Sequence, residues 1–152
     1  MGGRKPGGND SSKEAYASLL ADNRPHALGD SSRQMVAVGA SAGGLDALER
    51  LFAGLPADTG ATFVIIQHLS PDHKSMMASL LARHTVMPVI VVEDEMLIEA
   101  DKVYLIPPGS LMHVDGLHLR LTPKVPRTLT LPIDVFFESM AKEYQGRSVG
   151  VV

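Results

Sequence analysis

The chain has 152 residues, 45% hydrophobic and 20% charged, which is the balance of a globular domain of ordinary size that can fill a core. Its 14 Lys and Arg against 17 Asp and Glu leave a net charge of −3, so no basic field spans the surface to recruit nucleic acid. The lack of cysteine excludes disulfides, thiolate catalysis and cysteine-type zinc sites and permits a reducing cytoplasm without demanding it, while the lack of a bilayer-spanning apolar run or a signal-peptide core leaves a soluble, intracellular domain as the expectation.

Residues 1–34 hold five glycines, five serines and no β-branched residue, and their charges nearly cancel. This composition predicts a disordered leader, with the folded domain occupying 35–152. Met35-Val36-Ala37-Val38 is a buried strand stopped by Gly39. Leu45, Leu48, Leu51, Phe52 and Leu55 then recur at helical spacing, so Gly44–Gly54 is an amphipathic helix. Thr62–Ile66 is a second strand. Ser70-Pro71 has the N-cap and first-turn chemistry of a second helix, whose apolar face is Met77, Leu80, Leu81 and His84. Met76, Met77 and Met87 read as core. Val89–Val92 and Val103–Ile106 are further strands, separated by the acidic run Glu93-Asp94-Glu95, which reads as a solvated loop.

Beyond Pro107-Pro108-Gly109 the period changes. Leu111–Val114 and Leu117–Leu121 flank Asp115-Gly116, a hairpin signal of the type I′ kind that makes His113 and His118 cross-strand neighbours. A helix over about Ile133–Tyr144 ends where Gly146 offers a C-cap, and Ser148–Val152 is a last strand. Strands alternating with helices predict a three-layer α/β fold: a Rossmann-like parallel sheet, helices on both faces, and a β-hairpin insertion or antiparallel edge. The sequence stops on an apolar strand with no polar tail, so we expect a domain that is incomplete at its C-terminus.

Gly39-Ala40-Ser41-Ala42-Gly43-Gly44 lies between the first strand and the first helix. Gly39-x-Ser41-x-Gly43 has the spacing of a nucleophile elbow, in which small neighbours let a serine project from a tight turn at the sheet's C-terminal edge. The helix start behind it offers unpaired N–H groups to an oxyanion. The same glycines also suit a plain turn. A phosphate cradle fits less well, because a dinucleotide fingerprint needs glycine at Ser41 and a P-loop needs lysine where Leu45 stands. Gln67-His68 directly follows the second strand. Adjacent parallel strands end on one edge, so His68 can serve Ser41 as general base. Asp46 and Asp134 are the carboxylates a triad could draw on, yet a solvated helix face and a helix-start role account for them. His73 and His84 read as helix-surface and helix-end residues. His113 and His118 lack a third ligand, so no metal is expected, and no cofactor is implied.

Four segments in order resemble the catalytic domain of the chemotaxis receptor protein-glutamate methylesterases, the CheB type. They are Val38–Leu45, Val64–Ser70, Val103–Gly109 with His113, and Ile133–Phe137. The resemblance implies a cytoplasmic serine hydrolase that demethylates γ-glutamyl methyl esters on chemoreceptor helices and can deamidate receptor glutamines. Ser41 would be the nucleophile and His68 the base, with Ala42 and Gly43 at the oxyanion and His113 at the site mouth. Ala42 stands where the family usually has threonine, but its backbone N–H can still serve. The family's catalytic aspartate belongs to a glycine-rich loop beyond Val152, so impaired activity is expected. Residues 1–34 are too few for the receiver domain of many relatives, which resembles hybrids that join the esterase to a receptor methyltransferase. Two other functions compete: a non-catalytic, degenerate domain that binds chemoreceptors or a signalling partner, and a nucleotide-binding α/β domain.

Overall fold

The computed structural model describes residues 33–41, 43–67, 76–125 and 130–152. The leader over 1–32, the Ser70-Pro71 cap and His73 lie outside the described residues. Strand β1 (Gln34–Ala40) leads into helix α1 (Leu45–Ala53), followed by β2 (Ala61–Gln67) and α2 (Met76–Leu81). Next come β3 (Val89–Val91), β4 (Met96–Leu97), β5 (Val103–Leu105), β6 (Ser110–Asp115) and β7 (His118–Pro123). Helix α3 (Pro132–Tyr144), a 3₁₀ turn over Gln145–Arg147 and β8 (Ser148–Val151) follow.

Five strands form one parallel sheet in the order β3-β5-β2-β1-β8. β2 runs Ala-Thr-Phe-Val-Ile-Ile-Gln with every residue buried, because both of its faces are covered. Alternate side chains go to opposite cores. Met35, Ala37, Val64 and Ile66 join Tyr104, Phe136, Met140 and the hairpin residues Met112, Val114 and Leu119. Val38, Phe63, Ile65, Val103 and Leu105 join Leu48 and Phe52 of α1 and Leu81 of α2. Phe52 meets Phe63 edge to face, with ring centroids 5.6 Å apart. The predicted three-layer α/β arrangement is therefore the observed one.

Several local expectations shift. The hairpin is the expected insertion rather than an edge of the main sheet. It pairs with β4 in a separate antiparallel sheet, β4-β7-β6, whose apolar side shares a core with α3. Asp115 pairs with His118 and His113 with Arg120, so the two histidines are not neighbours. The loop is Gly116-Leu117, one residue later than expected. Gly116 has φ +57 and Leu117 is not among the positive-φ residues, the pattern of a type II′ rather than a type I′ turn. At the end of α3 the positive φ, +44, falls on Gln145 and not on Gly146. Met76 is 68% exposed at the start of the described helix and is not core, whereas Met87 is buried. His84 lies just past α2, exposed and 3.6 Å from Glu49.

Candidate active site

β1 and β2 run in register from Gln34↔Ala61 to Ala40↔Gln67. The chain then leaves β1 through Ser41, which is exposed at the C-terminal edge of the sheet. A short turn follows, closed by the Gly44 N–H donating to the Ser41 carbonyl at 2.9 Å. Helix α1 begins at the next residue, and the Gly44 carbonyl accepts the Leu48 N–H. Among the described residues, no side-chain hydrogen bond caps this helix start at Gly44, at the edge where Ser41 sits. Ser41 is not among the residues with positive φ, so this turn does without the backbone strain of a sharp nucleophile elbow.

The glycines of the motif differ in purpose. A Cβ on Gly39 would lie 2.7 Å from Ile133 Cγ2, so glycine there lets α3 pack directly on the end of β1. A Cβ on Gly44 would lie 2.8 Å from the Ala40 Cβ, so glycine there lets the turn close. Gly43 is exposed, and a Cβ added there would meet nothing within 4 Å, so packing does not require glycine at this position. The exposed Ser41 opens on a groove of about 380 Å³ between α1 and β8, lined by Val38, Ala40, Leu48, Leu51 and Val151 among others.

Sequence reasoning passed over one residue of this edge, Gln67. It is 5% exposed, and its Nε2 donates to the Ser41 carbonyl at 3.2 Å. Its Oε1 is buried with no hydrogen-bond partner among the described residues, a condition that costs roughly 1–3 kcal/mol. A polar residue ending an otherwise apolar strand was the signal in the sequence.

Ala42 and His68 lie outside the described residues. His113 is on β6 of the smaller sheet, facing away from the core that takes Met112 and Val114. Its cross-strand neighbour is Arg120. Asp46 pairs with Arg50 at 2.7 Å on the exposed face of α1, and Asp134 is exposed in the first turn of α3. Among the described residues, no group of three or more metal-ligating side chains comes together.

An exposed serine in a strand-to-helix turn, at the C-terminal edge of a parallel sheet with helices on both faces, places the domain in the α/β class, whose ligand sites lie at that edge. The CheB methylesterase family model matches residues 36–152, and the chain belongs to that family. It is 34% identical over 129 residues to a protein-glutamate methylesterase/protein-glutamine glutaminase of Bordetella avium, covering 83% of this chain and 37% of that protein. It is 40% identical over 127 residues to one from Burkholderia lata, covering 78% and 35%. An uncharacterized 104.1 kDa protein of Rhodobacter capsulatus is 62% identical over 76 residues, which is 50% of this chain and 8% of that one. The chain thus spans little more than a third, or less, of these curated relatives. The crystal structure of the Thermotoga maritima CheB methylesterase catalytic domain shares the fold, with a TM-score of 0.72 at 22% identity over 78% of this chain and 66% of that one.

Proposed function

We propose that this domain is a serine esterase of chemotaxis signalling that removes methyl groups from γ-glutamyl methyl esters of chemoreceptor helices. The observation that supports this most is the shared end of β1 and β2. Ala40 and Gln67 are a register pair at the ends of their strands, and Ser41 and His68 are the residues that follow them in sequence. In this reading the Ser41 Oγ attacks the ester carbonyl while His68 takes its proton. The tetrahedral oxyanion is held by the backbone N–H groups of Ala42 and Gly43 beside the start of α1. Methanol leaves with the proton from His68, and water hydrolyses the glutamyl ester left on Ser41. Attack on a glutamine side chain would release ammonia by the same steps. No cofactor takes part.

Turnover by these 152 residues is expected to be low. Among the described residues, no hydrogen bond brings a carboxylate to the Ser41 edge, and the carboxylate that orients a catalytic histidine contributes about 10⁴ in kcat. The same observation favours a second reading, a degenerate domain that binds chemoreceptors or a partner such as a receptor methyltransferase without catalysis. A serine-directed phosphonate distinguishes the two. We expect it to label Ser41, with methanol release from a methylated receptor fragment abolished in Ser41→Ala. Unlabelled Ser41 together with retained receptor binding would favour the second reading. Methanol release that survives Ser41→Ala would remove the nucleophile assignment. No helix among the described residues is long and apolar enough to cross a membrane, and we place the reaction in the cytoplasm, where the receptor helices are.

A further inference from the structure

We infer that Gln67 is a positioning residue that sets the direction of the oxyanion-binding N–H beside Ser41. The inference rests on the esterase reading for its purpose and on geometry for its substance. Gln67 is the last residue of β2, opposite Ala40. By strand alternation it shares a face with Phe63 and Ile65, the face packed by α1. A leucine or methionine would suit that apolar surrounding and leave no polar atom unpaired. The carboxamide instead buries an Oε1 that finds no partner among the described residues, and a buried polar group kept in that condition calls for a reason other than packing.

The reason is the other end of the carboxamide. Its Nε2 and the Gly44 N–H both donate to the Ser41 carbonyl, at 3.2 and 2.9 Å, and so occupy both lone pairs of that oxygen. Two donors on one carbonyl fix the plane of its peptide unit. In a planar trans amide the N–H lies opposite the C=O, so a fixed carbonyl also fixes the donor that follows it in sequence. Fixing the carbonyl therefore fixes the donor that the esterase reading assigns to the oxyanion. The bond from Gly44 is local to the turn. Gln67 adds an anchor from the neighbouring strand, so the donor is referenced to the rigid sheet rather than to the loop alone.

Two variants of the full chain test this. Gln67→Leu removes donor and unpaired acceptor together. Gln67→Glu keeps the size and polarity but replaces the donor with a carboxylate. Both are expected to slow phosphonate labelling of Ser41 by roughly 10- to 100-fold, below the 10²- to 10³-fold loss of an oxyanion donor itself. In ester hydrolysis the loss should appear in kcat with KM little changed. The Tm of Gln67→Leu should stay level or rise, which a merely structural role would not allow. The ¹⁵N resonance of Ala42, which senses hydrogen bonding to the preceding carbonyl, should move in both variants. Wild-type labelling rates in Gln67→Glu, an unmoved Ala42 resonance, or a Tm of Gln67→Leu that falls while labelling is unchanged would each overturn the inference. A wild-type chain that is never labelled would overturn the esterase reading instead, and the Ala42 resonance would still decide whether Gln67 holds the Ser41 peptide.

Discussion

At Gly39 the tolerance for a side chain is set by Ile133, whose Cγ2 would sit 2.7 Å from an added Cβ. Gly39→Ala must push α3 off the end of β1, and overpacking of this kind costs about 1–3 kcal/mol. Urea unfolding should show that loss, and Gly39→Ala combined with Ile133→Ala should recover part of it. Gly43→Ala meets open space at ordinary φ, so its stability should stay within about 0.5 kcal/mol of wild type. Equal losses at the two positions would show that α3 does not rest on Gly39. The sequence presented both glycines as parts of one motif. It could not separate them, because Ile133 lies on a distant helix and only packing brings it to β1. Gln67 was passed over for a related reason: a lone glutamine carries no pattern until its bond to Ser41 and its unpaired oxygen are seen.

Among the elements, the acidic run after β3 does more than face solvent. Asp94 Oδ1 accepts the Leu121 N–H at 2.8 Å, and Arg120 on the same strand reaches Glu95 at 3.0 Å. These contacts tie the segment before β4 to β7 and close the small sheet. The backbone hydrogen bond from Leu121, aided by Arg120 nearby, holds the Asp94 carboxyl below its usual value of 3.8. A carboxyl whose pKa is lowered in the fold contributes stability above its unfolded pKa. That contribution disappears as pH falls from about 3.8 through the lower folded value. The Leu121 amide resonance should therefore move over that acid range, and Asp94→Asn should abolish the movement. An amide that moves equally in the variant would assign the effect to another group. The hairpin itself was legible from Asp115-Gly116, but its register was not. Gly116 takes the left-handed position at the first loop residue, and moving the loop by one residue shifts each cross-strand partner by two. The end of α3 was missed similarly, since φ +44 falls on Gln145, a residue type that seldom adopts it.

Across the whole molecule, one sheet separates two cores, and its two outer strands differ. β3 is short, whereas β8 ends the sheet on the other side with Val149 50% and Val151 43% exposed. Apolar residues on a sheet edge favour association between chains. Val149→Lys should lower the concentration-dependent light scattering of the 152-residue protein without lowering its Tm, because that side chain is already half in water. Unchanged scattering would move the association to another surface. The α/β class, the parallel strands, the Ser41 turn and the family were legible without coordinates. Four-residue apolar runs, helical periods and small-residue turns are local signals that adjacent residues carry by themselves. The tertiary structure alone decided which glycine yields to Ile133, that Gln67 clamps the Ser41 carbonyl, that the hairpin joins β4 in a second sheet, and that His113 faces Arg120. Each of those depends on groups far apart in the chain meeting at van der Waals or hydrogen-bond distance, and no local pattern encodes such a meeting.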